Sequence, residues 1–247
     1  MNKLCNDAPS ITDGGQMQII ESSALGVRSA RVEFRHPEGK PSVTIFPMIH
    51  IGEPEFYRAA FNDAFAHDIV LVEGVRSPIS VRVTRSYRWL LGSRRIALSL
   101  QPNSPEVGSC HARIVHADLS GPEFAREWQK VQLWLRLLVY LLSPLIGLHR
   151  RWFATRESLA KGISVDDQPS QKELVEWGPE TGALTQAILH SRDERLLDRL
   201  REQLASEPTT RIAIVYGAGH MRAIVRELAT QQGYMTGRSD WLTVFHL

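Results

Sequence analysis

Arg211–Leu228, RIAIVYGAGHMRAIVREL, decides how this chain is read: five mostly β-branched or apolar residues, Ile212 to Tyr216, run into Gly217-Ala218-Gly219-His220, and an amphipathic helical pattern follows. A short apolar run bounded by turn residues fits a strand buried on both faces. The turn after it can cradle a phosphate, hold a metal through His220, or only reverse the chain tightly.

The same plan stands near the N-terminus. The alternation in VRSARVEFRH (27–36), the HPEGKP turn and the run VTIFPMIH (43–50) predict a β-hairpin whose second strand ends at His50. In IGEPEFYRAAFNDAFAHD (51–68), Pro54 suits a first helical turn, and Phe56, Tyr57, Ala60, Phe61, Ala64 and Phe65 repeat at helical spacing. The apolar run DIVLVEGV (68–75) then carries one charged interior residue, Glu73, close to its end. Strand, helix, strand is echoed by IAIVYGAGH, a helix and WLTVFHL (241–247), each with a histidine at the first strand-to-helix turn.

Consecutive units of this kind favour right-handed crossovers, and their sites lie at the C-terminal ends of strands. The expected fold is therefore α/β: a central mixed, mainly parallel sheet built from two similar strand-helix-strand halves, with a helical insertion at about 119–207. Residues 1–16 read as disordered and 17–247 as a single domain. IVHAD (114–118) predicts a further strand, and Ser120 with Glu123 in SGPE predicts a capping box. The insertion is expected to break near Gly162 and at Trp177-Gly178-Pro179, and to end in the helix SRDERLLDRLREQLASEP.

Composition narrows the partners. With 43% hydrophobic and 23% charged residues and a net charge of +2, the chain is that of an ordinary globular protein, and charge gives no reason to expect nucleic acid. Cys5 and Cys110 are too few for a disulfide framework, and the N-terminal stretch has no apolar core of a secretory signal, so a cytoplasmic location is expected. One segment resists that default. Val131 to Phe153 is the most apolar stretch, with Lys130 before it and His149, Arg150 and Arg151 inside its end, while Gln132, Arg136, Ser143 and Pro144 interrupt it. It reads as a helix buried or facing a partner, through which a homodimer forms, or as peripheral contact with a membrane, ahead of a full span.

A dinucleotide site at GAGHMRA is disfavoured, because the acidic residue expected at the end of the next strand is missing: Asp240 precedes WLTVFHL. Alone, Gly217 and Gly219 fit a sharp turn with His220 capping a helix. Two histidines and a carboxylate at equivalent strand ends change the weighing. His50, Glu73 and His220 are a familiar donor set for a catalytic divalent metal with one position left for water. Without a metal, a histidine beside a carboxylate is a competent general base.

In their order and separations, FPMIHIGE, VLVEGV, SRDERLLDRL and VYGAGHMRAI resemble the TraB/PrgY family, related to the Tiki metalloproteases and more distantly to erythromycin esterase-like and ChaN-like proteins. The resemblance covers the two ends of the chain better than its middle. The family carries two GxxH motifs, a glutamate at a strand end and an arginine-containing helix before the second motif. The second motif is intact as Gly217-Ala218-Gly219-His220; in the first, Pro47 stands where the family has glycine, and proline fixes φ near −65°. The resemblance implies a metal-dependent hydrolase using Zn, Mn or Co on a peptide or another amide or ester. His50, Glu73 and His220 would bind the metal or share general-base work. Arg192 would hold a substrate carboxylate or developing oxyanion, or else make a surface ion pair along its charged helix. Asp118 is either a site residue or a helix start, and Asp193 reads as an exposed or capping carboxylate.

Weaker candidates remain. Strand alternation puts His111 and His116 on opposite faces, which disfavours a metal set with Cys110, and His67 beside Asp68 fits a helix-end contact. The rival class is a non-catalytic module holding a peptide, a haem-like ligand or a partner in the same cleft.

Overall fold

The computed structural model describes residues 17–90, 96–102, 111–166 and 182–247. The expected disorder of 1–16, the break at Trp177-Gly178-Pro179 and Cys110 lie outside the described residues.

In chain order the strands are β1 (Ile20–Ser23), β2 (Gly26–Arg35), β3 (Ser42–Met48), β4 (Ile51–Gly52), β5 (Ile69–Val72), β6 (Ser99–Leu100), β7 (Arg113–His116), β8 (Arg211–Gly217) and β9 (Met235–His246). The helices used below are α1 (Pro54–Phe65), α2 (Pro78–Val83), α3 (Arg85–Leu90), α4 (Gly121–Lys130), α5 (Leu133–Phe153), α6 (Arg156–Asp166), α7 (Ser191–Leu204) and α8 (Met221–Arg226). Between β7 and β8 every described element is helical.

The sheet is mixed. Its path runs β2, β3, β8, β5, β7, the last four parallel, with β8 inserted between β3 and β5. Gly26 to Ser29 of β2 pair with both β1 and β9, while Val32 and Phe34 pair with both β3 and β9. A strand has two edges, so β9 occupies one along its length and β1 and β3 share the other. All these pairings of β2 are antiparallel, so β2 alone runs against the rest. The closing strand of the C-terminal unit therefore crosses to the far side of the sheet and pairs there with β2.

Burial follows from this placement. Val43 through Ile49 and Ile212 through Gly217 are buried without alternation, as expected for strands covered on both faces. On α1, Phe56, Tyr57, Ala60, Phe61 and Ala64 face the core, while Arg58, Ala59 and Asn62 face out. The Tyr57 hydroxyl donates to the Ile49 carbonyl at 2.8 Å, pinning the turn after β3. Pro47 is accommodated inside β3 opposite Tyr216; β2 pairs with β3 only from Val43 to Ile45, and the Ser29 hydroxyl takes the Pro47 carbonyl at 2.6 Å. His67 bonds the Asp63 carbonyl through Nδ1 at 2.9 Å and Thr44 Oγ1 through Nε2 at 3.0 Å, and burial lowers its pKa. It closes the end of α1 by hydrogen bonds to a ring that burial keeps from charging.

One expectation is corrected. Gly162 lies inside α6, so the chain does not break there. The segment from Arg76 to Ala117, hard to assign from pattern, holds α2, α3, β6 and β7 among its described residues.

α5 is long and apolar enough to cross a bilayer, and only 17% of its most apolar window is buried. Its buried side is narrow: Leu135, Ser143 and Gly147.

Candidate functional site

The parallel strands end in register. Met48 stands opposite Gly217, and Val72 stands opposite both Val215 and His116. His50, Glu73, Asp118 and His220 follow those four ends within a few residues, so the sheet delivers them to one edge, where open α/β sheets carry their sites.

Glu73 leaves β5 with its backbone still bonded to Val215, and its side chain is 11% exposed. Oε2 accepts the Gly217 amide at 2.6 Å, and Oε1 accepts from Arg192 Nη2. A Cβ at Gly217 would lie 3.0 Å from that Oε2, so any other residue there would have to push the carboxylate aside. The Gly217 amide at the turn thus already holds a carboxylate supplied by the protein itself.

Arg192, in the first turn of α7, is 14% exposed and bridges two carboxylates. Nε and Nη2 reach Asp118 Oδ1 and Oδ2 at 3.0 and 2.7 Å, the paired geometry a planar guanidinium favours. Asp118, 2% exposed, also accepts the Gly74 and Leu119 amides at 3.1 and 2.8 Å. Burial works to raise the Glu73 pKa, yet the Arg192 guanidinium, with His220 and His50, holds it at about 2. Glu73 is therefore a carboxylate at neutral pH.

His220 is 6% exposed, and its Nδ1 lies 2.7 Å from Asp193 Oδ1. An ionised carboxylate only accepts, so Nδ1 carries the proton and the neutral ring keeps its lone pair on Nε2. No hydrogen bond reaches Nε2 among the described residues. Tyr216 packs edge-on against the ring at 4.8 Å, and Arg192 lies 5.8 Å from the centre of the Tyr216 ring. The His220 Cδ2 and the Glu73 carboxylate approach the same point, 3.6 and 3.0 Å from a Cβ at Gly217.

His50 is exposed, its carbonyl held by the Gln101 amide at 2.9 Å. It lines an open groove of about 300 Å³ with Ile49 and Ile51 on one wall and His149, Arg150 and Phe153 from the end of α5 on the other. A second groove, about 350 Å³, is lined by Gly74, His116, Asp118 and Arg195. The buried Glu73–Arg192–His220 cluster lines neither.

Placed beside the expectations, these positions bring Glu73, Arg192, Asp118 and His220 together, with His50 at the rim. Arg192 makes no surface pair with its helix neighbours; it is buried between Glu73 and Asp118. Asp193, read as exposed or capping, is the carboxylate that orients His220. His111 and His116 are exposed and contribute nothing to the cluster. Among the described residues no three of His, Cys, Asp and Glu are arranged to hold a metal ion. Both Glu73 oxygens are committed, and the guanidinium bonded to one of them opposes a second cation, so the donor set as placed does not fit a three-ligand divalent metal.

Comparison with models of known families, with curated proteins and with solved structures finds no match.

Proposed function

We propose that the chain is a hydrolase of the TraB/PrgY kind acting on an amide or ester, peptides included, with His220 as its general base. The observation that carries this reading is the His220–Asp193 pair: the carboxylate fixes the tautomer and stabilises the imidazolium that forms when Nε2 takes a proton from water. Glu73, at about 2, is too weak a base for that work and instead stabilises positive charge on His220. Arg192 positions Glu73 and Asp118. His50, exposed in the groove, meets the substrate. The two histidines stand at matching ends of β3 and β8, the sense in which two strand-turn-helix halves build the site. A Zn, Mn or Co ion bound by His50, Glu73 and His220 would require Glu73 to leave Arg192.

Hydrolysis of a panel of activated esters and short peptides tests the reading. The wild type is expected to turn over at least one class, and His220→Ala to lose about 10²- to 10⁴-fold. A wild type inert toward the whole panel, with and without added Zn, Mn and Co, favours instead the binding-module reading.

A further inference from the structure

We propose that the exposed face of α5 seats the protein, in plane, on an anionic lipid surface. Leu133, Trp134, Leu137, Leu141, Leu145 and Trp152 are 51–66% exposed along this one helix, far more contiguous apolar surface than a face meant for water carries. Trp134 and Trp152 share this exposed face, and such amphipathic rings favour a headgroup boundary.

Charge selects the occupant. α2, α3 and α5 contain no Asp or Glu, and Arg82, Arg88 and Arg151 on them are exposed. A second copy meeting this face about a two-fold axis would bring like charges together, whereas anionic headgroups attract them.

Attachment decides between lying and spanning. Before α5, Trp128 and Val131 are buried with Ala187; after it, Ala154, Leu159 and Ala160 join the main core, and Arg156 bonds Glu53 and the Ile96 carbonyl at 2.9 and 3.0 Å. One side of α5 is also held to the same body: Ser143 Oγ donates to the Val83 carbonyl at 2.9 Å, and a Cβ at Gly147 would come within 2.8 Å of Ser86 Cα. A span would have to part these ends across the bilayer. Lying flat, α5 brings the groove beside His50, which shares His149, Arg150 and Phe153 with it, to the lipid boundary.

Flotation of the full chain with vesicles of phosphatidylcholine, alone or mixed with phosphatidylserine, tests this independently of any hydrolysis. Binding is expected to the mixed vesicles only, to fall as salt rises, and to wash off in alkaline carbonate. Leu141→Glu with Leu145→Glu should abolish it at an unchanged unfolding temperature, and Arg151→Gln should weaken it by roughly fivefold. Equal binding or no binding to both vesicle types, resistance to carbonate, or a dimer in sedimentation that the leucine variants dissociate would each overturn it. Should the leucine variants misfold, the wild-type comparison of the two vesicles and its salt dependence still decide.

Discussion

At the scale of single residues, the cluster behind the sheet edge is built on the Arg192 guanidinium, which holds Glu73 ionised and also bonds Asp118. Arg192→Met leaves Glu73 and Asp118 buried without their cation and is expected to cost about 3–5 kcal/mol in denaturant unfolding. Adding Glu73→Gln and Asp118→Asn should recover much of that loss, because the penalty lies in the orphaned charges. Glu73 also sets a pH signature. Its pKa falls from 4.5 to about 2 on folding, so the stability it contributes is complete above pH 4.5 and is lost as pH falls toward 2. The loss is roughly 3 kcal/mol, and Glu73→Gln should remove that slope from the acid limb of a stability profile. Gly217→Ala places a methyl against Glu73 Oε2 and is expected to destabilise by about 1–3 kcal/mol, read by the same unfolding. The sequence singled out Glu73, His220 and Arg192, but it read Asp193 as exposed or capping rather than as the partner of His220. Asp193 and His220 are 27 residues apart, and nothing local to SRDERLL tells which face of that helix meets the end of β8.

At the scale of elements, local patterns were legible wherever local chemistry decides them. The capping box forms as read: Ser120 Oγ accepts the Glu123 amide, and Glu123 returns to the Ser120 amide at 2.9 Å. Ser120→Ala should lower stability by about 1 kcal/mol and fray the start of α4, two residues from Asp118. The apolar runs of β3, β5 and β8 and the aromatic face of α1 were equally plain, because full burial leaves an unbroken record in the residues. The short pairing of β4 with β6, through Ile51–Leu100 and Gly52–Ser99, was not, since two residues per strand carry no period. A π-helical segment, Gln186–His190, directly precedes Ser191, and periodicity alone does not foretell such an insertion. Adjacent residues on a helix diverge by about 100°, so Arg192 and Asp193 reach different targets.

At the scale of the whole molecule, the α/β class and the shared sheet edge followed from the order of elements, while the strand order did not. β8 slots between β3 and β5, and β9 reaches β2 on the far side; both are long-range pairings that one sequence records only as apolar strands. The consequence for the site is direct, since putting β8 beside β5 is what brings the Gly217 amide to Glu73 and His220 over the same edge. In the proposed function, Asp193 keeps the His220 proton on Nδ1 and leaves Nε2 to act as the base. Long-range ¹H–¹⁵N NMR of the imidazole reads this most directly in wild type and Asp193→Asn. The neutral wild-type ring is expected to show a protonated Nδ1 and a bare Nε2, an assignment that Asp193→Asn disturbs. A neutral wild-type ring protonated on Nε2 would contradict that role of Asp193.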